Sequence, residues 1–300
     1  MTTTLPPHIQ PFFDEATFTV SYLVGDPATH EAVVIDPVLD FDPASGKVST
    51  ASAGAILAAA EAGGWRIALV LETHAHADHL TAAPWIKART GALVGIGDRI
   101  GEVQAVFRPV FGIADLKPGA GDFDRLFADG ERFRVGELEW EAIATPGHTP
   151  ADVSYKVADA VFVGDTVFMP DYGTARADFP GGDARVLYRS IRRLLDLPRT
   201  TRLFMCHDYK APGRDHFAWE CTVADQRDRS VQVADGVSED AFVAMRQARD
   251  ATLAAPRLLL PSIQVNVRAG RFPPAEPDGS RFLRLPVRPP EGYAEAPGSL

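Results

Sequence analysis

Thr73-His74-Ala75-His76-Ala77-Asp78-His79 packs three imidazoles and a carboxylate into one short stretch of a chain that has eight histidines in all. The apolar run Ile67-Ala68-Leu69-Val70-Leu71 comes just before it and reads as a buried strand, which puts the cluster on the turn at that strand's C-terminal end. Side chains on such a turn converge on a small volume, and imidazole with carboxylate is the donor set of a metal site. Three further residues stand at the ends of apolar runs in the same way. His148 follows the turn Thr145-Pro146-Gly147, Asp165 closes Val161-Phe162-Val163-Gly164, and His207 closes Leu203-Phe204-Met205-Cys206. A carboxylate at the end of a buried strand is costly unless it is paired or bound to a cation. Asp152 is expected to cap the turn after His148, and Asp208 to orient His207. Read from the residues alone, the seven ligands describe two zinc ions, with His74 and His76 on one and Asp78 and His79 facing the other.

Working outward, residues 18–24 and 32–35 read as the two strands of a hairpin around Gly25-Asp26-Pro27. Residues 52–62 form an alanine-rich helix stopped by Gly63-Gly64, and residues 82–89 a short helix stopped by Gly91. Residues 115–130 read as loop. Four short strands follow at 132–135, 138–144, 152–157 and 160–163, then a helix at 184–195 with the apolar stripe Val186, Leu187, Ile191, Leu194 and Leu195. A strand at 203–206 and a helix at 240–253 complete the pattern. Strands, helix, then strands and helices again predict two sheets with helices outside, and ligands on loops at one sheet edge. A single catalytic domain over residues 1–270 is expected, followed by a Pro/Gly-rich tail over 271–300.

Three hundred residues with a formal charge of −10 argue against nucleic acid as a partner. No run of about 18 apolar residues predicts a membrane span, and the start of the chain is no secretory signal. Two cysteines, Cys206 and Cys221, fit free thiols in a reducing cytoplasm. Cys206 beside His207 reads as a buried thiol rather than a nucleophile. Gly95-Ile96-Gly97-Asp98-Arg99-Ile100-Gly101 has the wrong spacing for a dinucleotide loop.

His-Ala-His-Ala-Asp-His, followed by Pro-Gly-His-Thr-Pro, Gly-Asp-Thr and His-Asp-Tyr, resembles the metallo-β-lactamase superfamily. The resemblance implies an α/β fold, the αββα sandwich of two mixed β-sheets flanked by helices, with the metal at one edge. Thr174-Ala175-Arg176-Ala177-Asp178-Phe179, Leu187-Tyr188-Arg189-Ser190, His207-Asp208-Tyr209-Lys210 and residues 261–270 resemble the persulfide dioxygenase branch, in its bacterial type without a rhodanese domain. Extra residues near 112–125 and 222–240 are expected to reshape the substrate entrance.

That branch implies one Fe(II) per chain on His74, His148 and Asp165, the facial triad of non-haem iron oxygenases. His76, Asp78, His79 and His207 then surround it or mark a second metal position. Glutathione persulfide and O₂ are the implied substrates, with sulfite and glutathione as products. An anionic substrate in an acidic protein needs local cations, and Arg176, Lys210 and Arg214 are the candidates, with Tyr209 as a hydroxyl donor and Asp178 orienting Arg176 or meeting an ammonium group. The competing expectations are a two-Zn(II) thioester hydrolase of the glyoxalase II type and a sulfide- or redox-responsive binding protein without turnover. A homodimer is the default for the assembly.

Overall fold

In the computed structural model, which describes residues 5–119, 121–290 and 293, two six-stranded sheets lie face to face. The N-terminal half runs β1 (His8–Asp14), β2 (Thr19–Gly25), β3 (Glu31–Ile35), β4 (Val38–Asp42), β5 (Lys47–Ser49), α1 (Ala51–Ala62), β6 (Arg66–Leu71), β7 (Leu80–Thr81), α2 (Ala83–Thr90), β8 (Leu93–Gly97), α3 (Ile100–Val110) and β9 (Arg125–Phe127). The C-terminal half runs β10 (Arg132–Val135), β11 (Leu138–Ala144), β12 (Val153–Val157), β13 (Ala160–Phe162), α4 (Ala184–Leu195), β14 (Arg202–Phe204), β15 (Glu220–Thr222), α5 (Val223–Arg229), α6 (Glu239–Asp250) and α7 (Leu259–Asn266). The first sheet is ordered β1-β2-β3-β6-β8-β9 and the second β10-β11-β12-β13-β14-β15. Both are mixed. β3, β6, β8 and β9 pair in parallel in the first, and β13 with β14 in the second.

The strand sequences explain the layering. β2 alternates Val20, Tyr22 and Val24 into the space between the sheets with Leu23 onto the outer face, so both faces are covered and the run is continuously apolar. Phe133, Trp140, Tyr155, Phe162 and Phe204 fill the space between the sheets. α1, α2, α3 and α7 cover the outer face of the first sheet, and α4, α5 and α6 that of the second. This is the expected αββα sandwich.

Several elements differ from their sequence reading. Residues 115–130 contain β9, which pairs in parallel with β8. α3 begins inside the Gly95–Gly101 stretch, at Ile100, with Ile100, Val103, Gln104 and Phe107 on its buried face. Val186 lies on the solvent side of α4, while Leu187, Ile191, Leu194 and Leu195 are buried. α7 has no amphipathic pattern, because Ser262, Gln264 and Asn266 are buried along with Ile263 and Val265. Of the two extra segments, 112–125 lies under the C-terminal segment through an Asp115–Arg268 ion pair, whereas 222–240 reaches, through Gln232, a cavity lined also by His148 and Asp165. Of the expected tail, residues 291, 292 and 294–300 lie outside the described residues. Before that point it hugs the surface, with the Arg284 N–H donating to Gln264 Oε1 (2.8 Å). Among the described residues, no helix is long and apolar enough to cross a membrane.

Candidate metal centre

Residues 73–79 leave the C-terminal end of β6 and are gripped by Asp36, at the end of neighbouring β3. Its carboxylate accepts from Thr73 N–H (2.7 Å), Thr73 Oγ1 (2.8 Å) and His76 Nε2 (2.9 Å). Asp36 was not singled out in the sequence, although Val33-Val34-Ile35-Asp36 carries the same signal as Asp165, a buried run ending in a carboxylate. His148 enters from a turn that only glycine permits. Gly147 has φ +141°, and a Cβ there would lie 2.3 Å from the Leu187 backbone. Gly164, at φ +51°, lies against Thr73, where a Cβ would stand 2.7 Å from Oγ1, and it delivers Asp165. His207 follows β14 beside Thr19 of β2.

Each ring is oriented by its second nitrogen or by an adjoining group. His148 Nδ1–H donates to the Arg176 carbonyl (2.7 Å), and His207 Nδ1 meets the Phe18 carbonyl at 3.2 Å. Asp36 takes His76 Nε2, and Thr19 Oγ1 stands 3.4 Å from Nδ1 of both His79 and His207. Such partners fix which nitrogen faces inward. Asp208, expected to orient His207, instead pairs with Arg214 and accepts from Ala218 N–H (2.8 Å). Asp152 does hold the His148 turn, accepting from Thr149 N–H (2.7 Å) and Thr149 Oγ1 (2.5 Å).

The inward atoms are left without hydrogen-bond partners. His74 Nε2, His76 Nδ1, Asp78 Oδ2, His79 Nε2, Asp165 Oδ1 and His207 Nε2 are all buried and unpaired among the described residues. A buried polar atom without a partner costs about 1–3 kcal/mol, so a collection of them turned toward one another fits a bound cation. His207 Nε2 stands 3.0 Å from Asp78 Oδ2 and 3.4 Å from Asp165 Oδ1, yet lacks hydrogen-bond geometry to either. Asp165 Oδ2 lies 3.5 Å from His148 Nε2 and 4.0 Å from His74 Nε2. The ligands fall into two groups, His74, His148 and Asp165 in one and His76, Asp78, His79 and His207 in the other, with donor atoms inside 4.8 Å in each. Asp165 turns one oxygen toward each group.

Electrostatics prepare the donors. Burial pushes His74 well below the usual imidazole range, helped by His76 and His148, so its lone pair is free. Burial also opposes charge on His76, but Asp36 and Glu72 overcome it and hold its ring well above that range. Burial alone would raise Asp78, but the neighbouring His207 and His79 bring it well below the carboxylate range.

A cavity of about 570 Å³ opens onto Asp78, His148 and Asp165, with Phe18, Phe168, Tyr172, Phe179 and Tyr209 in its walls. Arg176 lines it, but its Nε and Nη2 pair with Asp178 (2.6 and 2.8 Å) and its Nη1 donates to the Ala254 carbonyl (2.7 Å). Asp178 thus pairs with Arg176 and does not line this cavity. The other two expected cations are placed elsewhere. Arg214 gives its nitrogens to Asp208 (2.6 and 2.7 Å) and Asp171 (2.7 and 3.1 Å), because two carboxylates flank it, and Lys210 Nζ stands over the Phe217 ring at 4.3 Å. Instead, Arg249 of α6 and Arg257 line the cavity, both exposed and without an ion pair among the described residues. No local motif marks these two in the sequence.

Two stacked mixed sheets carrying imidazole and carboxylate ligands on the loops at one edge define a metal-binding αββα sandwich. The chain belongs to the metallo-β-lactamase superfamily, whose sequence model matches residues 14–207. Over 290 residues it is 51% identical to a probable metallo-hydrolase of Burkholderia pseudomallei, spanning 93% of this chain and 98% of that protein. It is 42% identical over 282 residues to glyoxylase B2 of Dictyostelium discoideum, spanning 93% and 96%. The crystal structure of ETHE1 from Myxococcus xanthus matches with a TM-score of 0.71 at 30% identity, covering 88% of this chain and 100% of that one.

Proposed function

We propose that the protein is a metal-dependent hydrolase that cleaves the thioester of a small anionic thiol, in the manner of the glyoxalase II type. The observation that carries this reading is the division of seven ligand residues into two groups, with Asp165 of the first turning Oδ1 toward His207 of the second and inward atoms of both groups unpaired. The likeness to glyoxylase B2 along nearly the whole chain supports it. The chemistry a divalent metal supplies when bound at such a site is Lewis acidity and an acidified water.

The chain's own residues do the rest. Ring partners such as Arg176 O, Phe18 O and Asp36 hold the imidazoles in place before substrate arrives. The aromatic walls exclude bulk water from the scissile bond, and Arg249 and Arg257 meet the carboxylates of the thiol carrier at the mouth. Water adds to the thioester carbonyl, the C–S bond breaks, and carboxylate and thiol leave. Replacing both arginines with alanine should raise KM for S-lactoylglutathione about tenfold with little change in kcat, since they touch a part of the substrate remote from the reacting bond. A matching drop in kcat with KM unchanged would remove them from substrate binding.

A second reading has its own support. His74, His148 and Asp165 form one of the two groups by themselves, and the ETHE1 crystal structure is matched along its whole length. In that reading one Fe(II) is held by these three residues, and glutathione persulfide, O₂ and water give sulfite and glutathione. Anaerobic purification followed by parallel assays decides between the two. Hydrolysis of S-lactoylglutathione without persulfide-dependent O₂ uptake is the expected result. O₂ uptake without hydrolysis would replace the first reading with the second.

A further inference from the structure

We propose that Asn266, at the end of α7, is a positioning residue that holds residues 73–79 in their ligand-presenting shape, and that the 112–125 segment anchors it from outside. Asn266 is 3% exposed and lies far along the chain from the ligands. Its Nδ2 donates to the carbonyls of His76 (2.8 Å) and His79 (2.7 Å), and its Oδ1 accepts from Thr81 N–H (3.0 Å). Two carbonyls on one side and an N–H on the other fix which end of the amide is which. Buried loop carbonyls need donors. One amide here satisfies two of them three residues apart, and so closes the turn that carries His76, Asp78 and His79. Thr81 extends the link by donating from Oγ1 to Glu72, which in turn faces His76 (Oε2–Nε2 3.4 Å).

The C-terminal segment is fastened at its far side. Gln104 Nε2 of α3 donates to the Val267 carbonyl (2.8 Å), Arg268 pairs with Asp115 (Nη2–Oδ1 2.6 Å), and Arg271 pairs with Asp122. The extra residues near 112–125 thus act as an anchor and do not shape the substrate entrance. Two of the polar residues that α7 buries bond to backbone outside the helix, Asn266 to the ligand loop and Gln264 to Arg284, which accounts for their burial without an amphipathic pattern.

The inference rests on the metal-centre reading but not on which reaction the centre performs. Chelated wild-type protein, the Asn266→Asp variant and the Gln264→Ala variant are titrated with Co(II), with affinity, the visible absorption of the bound ion and the melting temperature of the metal-free protein as readouts. Asp keeps the shape and the acceptor but turns both donations into repulsions. Asn266→Asp should bind Co(II) at least about tenfold more weakly and with altered visible bands. Gln264→Ala, which cuts the links to Arg284 and to the Leu260 carbonyl but none to the ligand loop, should lower the melting temperature while keeping wild-type affinity and bands. Wild-type affinity and bands in Asn266→Asp would overturn the proposal. No Co(II) binding by the wild type would overturn the metal centre itself. Should Asn266→Asp not fold, Arg268→Ala decides: weaker Co(II) binding supports the anchor, and wild-type affinity overturns it.

Discussion

Asp165→Ala should lower metal affinity by at least about 100-fold, and activity should fall with it. The carboxylate is the one ligand facing both groups, Oδ2 toward His148 and His74 and Oδ1 toward His207. Its loss takes an anionic donor from each side at once. The effect on the metal-free protein should have the opposite sign. Without a cation, Asp165 Oδ1 is a buried unpaired oxygen, and removing it relieves a desolvation cost. The melting temperature of metal-free Asp165→Ala should therefore equal or exceed that of the metal-free wild type, while with metal present it should fall below. Metal content after dialysis and melting curves in both states check this. A variant that keeps wild-type metal content would remove Asp165 from the ligands.

Trp140→Ala should cost about 3–5 kcal/mol of folding stability. The side chain is 0% exposed between the two sheets, with Phe133 and Phe162 stacked beside it at ring distances of 6.1 and 6.2 Å. Its deletion leaves a void that neither sheet can close without sliding against the other. Its indole Nε1 makes no hydrogen bond, so Trp140→Phe forfeits only volume and should cost well under half as much. Denaturant unfolding of the metal-free proteins measures both. Equal losses for alanine and phenylalanine would mean that the nitrogen, and not the packed volume, matters.

The metal centre was legible because its ligands stand at strand ends, where an apolar run makes a following His or Asp conspicuous. Asp36 carries the same signal, but a lone carboxylate after a strand is common and its role depends on β3 lying next to β6. The exposed arginines that line the cavity are not legible in the sequence. Arg214 and Lys210 stand near His207 in sequence, but Asp208 and Asp171 claim one and Phe217 the other. Arg249 and Arg257 come from α6 and the chain after it, and only the packing of α6 against α4 and the second sheet brings them to the cavity. The order of strands and helices predicts two sheets with helices outside, and the family resemblance implies the αββα sandwich. α7 escapes because Gln264 and Asn266 are buried by hydrogen bonds to backbone outside the helix, which breaks the apolar stripe of Ile263 and Val265.

Zn(II) titration of the metal-free wild type beside His207→Ala tests the two-position centre most directly. His207 belongs to the second group, its Nε2 3.0 Å from Asp78 and within 4.8 Å of the ligand atoms of His76 and His79. Two equivalents bound per wild-type chain and one retained by His207→Ala is the result expected. A single equivalent in the wild type, kept in His207→Ala and lost in His148→Ala, would contradict it and leave the mononuclear site of His74, His148 and Asp165.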